Sequence, residues 1–228
     1  MAGRFITFEG GEGAGKSTQA AQLAERLRAA GHTVRVTREP GGTPLADAVR
    51  ALLLHPEASL HDLAANGLAS STDPAEPLLP VTEVLLLSAA RAQHVARIRA
   101  WLDAGDIVIS DRYADATRAY QGGGRGLDPA LIASAEQLAT GGLRPELTLL
   151  LDLPVEEGQR RRRAARGAGG DWNRLDAETR DFHERVRAAY LALAQAEPER
   201  WVVLDATLAP ATLAEGVWEA VSARLRAG

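Results

Sequence analysis

Gly10-Gly11-Glu12-Gly13-Ala14-Gly15-Lys16-Ser17, followed by Thr18, is the stretch whose reading decides the fold. It has the form G-x-x-x-x-G-K-S, a phosphate-binding loop in which glycines allow a tight turn and aim backbone N–H groups at phosphate oxygens. Lys16 can reach the β- and γ-phosphates of a nucleotide, and the Ser17 hydroxyl can ligate Mg²⁺. The flanks agree. Arg4 to Phe8 is a β-rich run, and Ser17 to Ala30 has helical character, so bound phosphates would sit at a helix N-terminus. Lys16 is the only lysine among 228 residues, in a chain that otherwise uses arginine as its basic side chain. A compact ammonium is retained where the loop needs one.

Outward from the loop, the chain alternates strands and helices. Strands are expected at His32 to Thr37, Asp106 to Ser110, Leu147 to Asp152 and Trp201 to Asp205, the middle two as continuous apolar runs of the kind buried in parallel sheets. Helices are expected from Thr43 or Pro44 to Leu54, from Val81 to Leu102, from Asp128 or Pro129 to Gly141, from about Asp176 to Glu197, and from Pro210 to Arg226. A helical segment to Tyr120 runs into Gln121-Gly122-Gly123-Gly124-Arg125-Gly126, read as loop. Residues 55 to 80, rich in Ala, Ser, Pro and Asp, read as a loop or insertion with one short helix at Leu60 to Leu68. The sum is one α/β domain over residues 1 to 228, a phosphate-loop (P-loop) NTPase fold with a five-stranded parallel sheet and helices on both faces.

Composition narrows the function. The net charge of −4 argues against general affinity for nucleic acid, and the lack of cysteine excludes disulfides, thiolate metal sites and cysteine nucleophiles. No apolar run approaches the roughly 18 residues of a membrane span, and the chain enters its first strand without a basic and apolar leader; a cytoplasmic protein is expected.

In a parallel sheet of this kind ligands bind beyond the carboxyl ends of the strands. Those ends here carry the phosphate loop, Arg38-Glu39 and Asp111-Arg112. A phosphate loop near Arg38 and Arg112 suggests two phosphate-bearing ligands facing each other, as phosphoryl transfer requires. Asp111, closing an apolar strand, is placed either to hold Mg²⁺ as a Walker B aspartate does or to cap the next helix. A guanine-reading Asn-Lys-x-Asp is impossible with a single lysine, which excludes that type of GTPase switch. A nucleoside kinase would not need Arg38 and Arg112.

Gly10 to Thr18, Arg38 to Thr43, Asp111-Arg112-Tyr113, Ala119 to Gly126 and Asn173 to Asp176 closely resemble, in order, the motifs of bacterial thymidylate kinases, and the resemblance extends to Asp205-Ala206-Thr207. It implies transfer of the ATP γ-phosphoryl group to dTMP with Mg²⁺, in a homodimer. Kinases of another nucleoside monophosphate such as dUMP are the nearest alternative. Under the resemblance Glu12 meets the 3′-hydroxyl side of the acceptor. Arg112, with Arg38, holds its phosphate through the planar fork that suits phosphate. Arg91 donates to thymine O4, Thr117 meets the pyrimidine edge, Tyr120 lies under the sugar 2′ position and Gln121 beside the base. Two positions depart from the family. Leu87 replaces the usual stacking phenylalanine, and stacking on an aromatic is worth roughly 1–3 kcal/mol per base in nucleic-acid sites; Ala116 replaces a serine.

Arg160-Arg161-Arg162-Arg163, with Arg166 and the break at Gly167 to Gly170, reads as a solvated helix face or as part of a mobile lid over about 160 to 175. Some thymidylate kinases carry a catalytic arginine in the phosphate loop where this chain has Gly13. The charge-neutralising arginine is therefore expected from the lid, with Arg166 first and Arg174 second.

Overall fold

The computed structural model describes residues 3–68 and 77–226. Five strands, β1 (Arg4–Glu9), β2 (Val34–Arg38), β3 (Ile107–Asp111), β4 (Leu147–Asp152) and β5 (Trp201–Asp205), form one parallel sheet in the order β2-β3-β1-β4-β5. β1 is central because it buries both faces. Ile6 and Phe8 point to one side, where they pack on α1 (Lys16–Ala29) through Leu23 and Leu27 and on α9 (Pro210–Arg226) through Leu213 and Val217. Phe5 points to the other, against Val95 and Ile98 of α4 (Pro80–Asp103). The same face receives α8 (Arg180–Ala196), whose Phe182, Val186 and Tyr190 cover Leu150. Helices thus lie on both faces, as the alternating pattern requires. Chain connections leave β1 towards β2 and β3 on one side and reach β4 and β5 on the other, which opens a crevice beyond the carboxyl ends of β1 and β3.

Two further helices pack against α4. α2 (Pro44–Leu54) starts at Thr43, whose hydroxyl accepts from the Ala46 amide at 3.2 Å, and α6 (Pro129–Thr140) starts at Asp128, which caps Ala130 at 2.8 Å. α8 starts four residues later than its sequence suggests, because Thr179 caps it by accepting from the Phe182 amide. In the 55–80 stretch α3 occupies Pro56–Ala65, shifted from the expected Leu60–Leu68 because Pro56 takes a first-turn position suited to proline. The rest of that loop reading includes residues 69–76, which lie outside the described residues.

The glycine run corrects the sequence reading. α5 (Ala114–Thr117) continues without a break as a wide, π-type helix over Arg118–Gly124. The glycines there serve close packing rather than a turn. A Cβ on Gly123 would lie 2.5 Å from the Ala189 Cβ, and one on Gly124 would lie 2.5 Å from the Phe182 ring. α8 is pressed against this segment, and Arg185 donates to the Gly124 carbonyl at 2.8 Å. Gly124→Ala gains up to about 1 kcal/mol of helix propensity but forces an overpacking cost of roughly 1–3 kcal/mol. Urea unfolding is expected to show a net loss of stability; an unchanged or higher midpoint would mean that α8 moves aside freely.

Candidate active site

The loop between β1 and α1 folds as its glycines dictate. Gly15 adopts a left-handed backbone with φ 90° immediately before α1, and it has no side chain to occupy the free N–H groups of the first turn. Those donors therefore face the crevice. Lys16 is buried and its Nζ donates to the Gly10 and Gly11 carbonyls at 3.1 and 2.8 Å, spanning its own loop. Burial and the nearby Arg112 push the Lys16 ammonium below its usual pKa, while Glu12 and Asp111 pull the other way. At the next residue, the Ser17 hydroxyl donates to the carboxylate of Asp111 at the end of β3.

Arg112 holds the site together. It takes a left-handed backbone, φ 70°, unusual for a non-glycine residue. Its amide donates to Phe8 O at 2.9 Å and its carbonyl accepts from the Ser110 hydroxyl at 2.7 Å, which turn the side chain back over the loop. One guanidinium nitrogen donates to Gly10 O and to the Tyr190 hydroxyl, at 3.0 and 3.1 Å. The other donates to Glu12 at 2.6 Å and to the Tyr120 hydroxyl at 3.0 Å. Tyr120 in turn donates to Glu12 at 2.9 Å, and the guanidinium lies 4.9 Å from the Tyr120 ring centroid. Burial opposes the Glu12 charge, but Arg112 and Lys16 outweigh it and lower its pKa to about 2.

Two cavities meet at this knot. One is lined by the loop residues Gly13, Gly15, Lys16, Ser17 and Thr18, with Asp111, Arg38 and Arg162. The other is lined by Leu87, Arg91, Ala116, Thr117, Tyr120 and Gln121, with Leu175 beneath. Glu12, Arg112, Glu39, Arg50 and Asn173 line both. Arg38 itself is more than half exposed and 3.7 Å from Asp47. Gln121 donates to Glu83 at 2.9 Å.

The arginines of the 160–175 segment sort differently from the sequence expectation. α7 (Val155–Gly167) approaches the loop so closely that a Cβ on Gly158 would lie 2.4 Å from Glu12 O, and one on Gly13 would lie 2.5 Å from Gly158 O. One turn beyond Gly158 stands Arg162, which lines the loop cavity and is held by Asp176 at 2.6 Å and by Asp171 O at 2.7 Å. Arg166 instead lies over Trp172, 5.0 Å from the ring centroid, and Arg174 is tied to Glu83 at 2.6 Å and Leu53 O at 3.2 Å; neither is among the residues lining the two cavities. Sequence reasoning missed Arg162, whose position within a run of four arginines gives no phase, and Arg50, which reads as an ordinary helix charge. Arg50 donates to Pro40 O at 3.0 Å. Burial and the repulsion of Arg38 and Arg112 lower its pKa.

The sequence profile of thymidylate kinases matches residues 8–215. The chain belongs to the thymidylate kinase family. A thymidylate kinase of Thermomicrobium roseum is 52% identical over 225 residues, covering 98% of this chain and 97% of the relative. One of Deinococcus radiodurans is 49% identical over 223 residues, covering 97% and 98%. Among solved structures, the crystal structure of thymidylate kinase from Ehrlichia chaffeensis superposes with a TM-score of 0.70 at 30% identity, covering 97% of this chain and 99% of that one. The P-loop NTPase fold follows from the same likeness.

Behind Arg112, Glu9 is fully buried and accepts from the Tyr113 amide at 2.8 Å and the Tyr190 hydroxyl at 2.7 Å. Burial and the charge of Asp115 raise its pKa from 4.5 to about 8, with Arg112 opposing. The native state therefore keeps a proton that the unfolded chain loses. This contribution is fully present below pH 4.5 and is lost as pH rises towards 8. Relative to Glu9→Gln, the parent chain is expected to lose stability across that interval with a slope approaching ~1.4 kcal/mol per pH unit. Urea unfolding of both proteins at pH 5 to 8 measures it; a constant difference would mean Glu9 is ionised in the fold throughout.

Proposed function

We propose that this chain transfers the γ-phosphoryl group of ATP to dTMP, giving ADP and dTDP. The observation that carries the reading is the junction of the two cavities at Arg112 and Glu12. It sets a phosphate-binding loop on one side of a guanidinium fork and a base-sized, partly apolar cavity on the other. Family membership favours dTMP over dUMP or a nucleoside as acceptor.

On the donor side, the loop amides and Lys16 hold the β- and γ-phosphates, Lys16 exchanging its bonds to Gly10 O and Gly11 O for phosphate oxygens. Arg112, aided by Arg38 and Arg50, holds the acceptor phosphate, and the fork geometry orients an oxygen towards the γ-phosphorus. Glu12 stays ionised to accept from the sugar hydroxyl, Tyr120 closes the space beneath the sugar, and Leu87, Arg91, Thr117 and Gln121 surround the base. Ser17 and Asp111 bring hard oxygen donors together and suit Mg²⁺. When bound, that ion neutralises phosphate charge during transfer. The remaining cation comes from the lid at about 160–175. Arg162, rather than Arg166 or Arg174, is the arginine that faces the loop cavity, and we assign it the role of stabilising the transferring group.

Within this reading the chain acts as a homodimer. Support comes from Val81 and Leu85, one turn apart on α4, and Leu45 on α2, all exposed apolar side chains. A cytoplasmic setting belongs to the same reading. Among the described residues no helix is long and apolar enough to cross a membrane.

A coupled ADP-release assay across nucleoside monophosphates is expected to show dTMP as the preferred acceptor; equal rates with dCMP, dGMP or dAMP would contradict the reading. In the same assay Arg162→Ala is expected to lower kcat by about 10³-fold, the scale of losing an arginine finger, with Arg166→Ala far milder. The reverse order would return the catalytic role to Arg166.

A further inference from the structure

Arg91, which lines the base-sized cavity, carries one donor that the protein leaves without a partner. Arg91 is 2% exposed, and two of its nitrogens are engaged: Nε donates to Glu39 at 2.7 Å, and Nη2 donates to Tyr113 O at 3.2 Å and to the Thr117 hydroxyl at 3.0 Å. Its Nη1 is buried and finds no acceptor among the described residues. A buried N–H without an acceptor is costly, so the site is built for a ligand that supplies one. In the dTMP reading, on which this inference rests, the base carbonyl fills that place. An arginine can serve there only if its flexible side chain is held in one orientation.

The hold comes from a buried chain of polar groups that does not itself enter the cavity beyond Glu39. The second oxygen of Glu39 lies 3.0 Å from His94 Nδ1, and His94 Nε2 lies 2.7 Å from the Thr37 hydroxyl. His94 is fully buried. Burial opposes the Glu39 charge, but Arg91 and the His94 contact outweigh it and keep the carboxyl below its usual pKa. An ionised carboxylate only accepts, so Nδ1 carries the proton and Nε2 accepts from Thr37. Each member therefore has one role. Glu39 sets the tautomer of His94, Thr37 on β2 anchors the far ring nitrogen, and the ring so held fixes the carboxylate that orients the Arg91 guanidinium.

We propose that His94 is a positioning residue for base selection, acting through Glu39 to aim Arg91 Nη1 at the acceptor base. The donor to Glu39, not mere occupation of the space, is what matters. Two near-isosteric substitutions separate these. His94→Asn keeps a side-chain N–H close to the Nδ1 position and abandons Thr37. His94→Gln reaches the Nε2 position, keeps Thr37 and abandons Glu39.

The test is the ratio of kcat/KM for dTMP to that for dCMP, whose base carries an amino group where thymine has the carbonyl. His94→Asn is expected to keep the ratio within about twofold of the parent. His94→Gln is expected to lower it about tenfold, the scale of one lost charge-assisted hydrogen bond. The change should lie in KM for dTMP, with KM for ATP unmoved. Equal ratios in the two variants, or a worse ratio in the Asn variant, would overturn the proposal. A parent enzyme with no preference for dTMP would instead fail the functional reading. Cooperative thermal melts establish that each variant folds. If the Gln variant does not fold, Glu39→Gln replaces it, and an unchanged ratio there overturns the proposal equally.

Discussion

The structure depends on the ion pair between Arg112 and Glu12, 2.6 Å apart at the point where strand β3 and the phosphate loop converge. Each partner would be costly alone. Arg112 sits in a strained left-handed backbone, and Glu12 is half-buried beside an apolar cavity. Together, and with Tyr120 and Tyr190, they satisfy one another. The arrangement fixes the loop relative to β3 and α8 and places one guanidinium at the mouth of both cavities. In the proposed reading the same nitrogens engage the acceptor phosphate, and their partners within the knot stand in for its oxygens.

The fold delivers this geometry economically. β1 ends in the loop and β3 ends in Asp111-Arg112. Their parallel pairing, with Phe8 opposite Asp111, brings the two ends to the same level. α4 contributes Arg91 and His94 from one face, and the wide helix at Arg118–Gly124 sets Tyr120 and Gln121 towards the cavity while its glycines admit α8. The contact of Gly13 with Gly158 couples the loop to α7, so the helix that carries Arg160 to Arg163 is registered against the phosphate loop.

Much of this was legible in the sequence where the chemistry is local. The phosphate loop, the five strands and Arg112 at the end of β3 each announce themselves through residue type and spacing. What stayed hidden needs tertiary information. Four consecutive arginines are spaced about 100° apart around a helix. Only the glycine contact between the loop and α7 decides that Arg162 faces inward while Arg160 pairs with Glu157. The run at Gly122 to Gly124 reads as a turn until α8 is seen lying on it. Arg50 and the Thr37-His94-Glu39 chain are contacts across elements, invisible to any periodicity.

The central claim is that Arg112 stands between donor and acceptor phosphates. The most direct measurement is a crystal structure with dTMP and a non-hydrolysable ATP analogue bound together. The account predicts the acceptor phosphate on the Arg112 guanidinium, with the attacking oxygen about 3–3.5 Å from the γ-phosphorus. An acceptor phosphate bound away from Arg112, with its oxygen out of line with the donor, would contradict it.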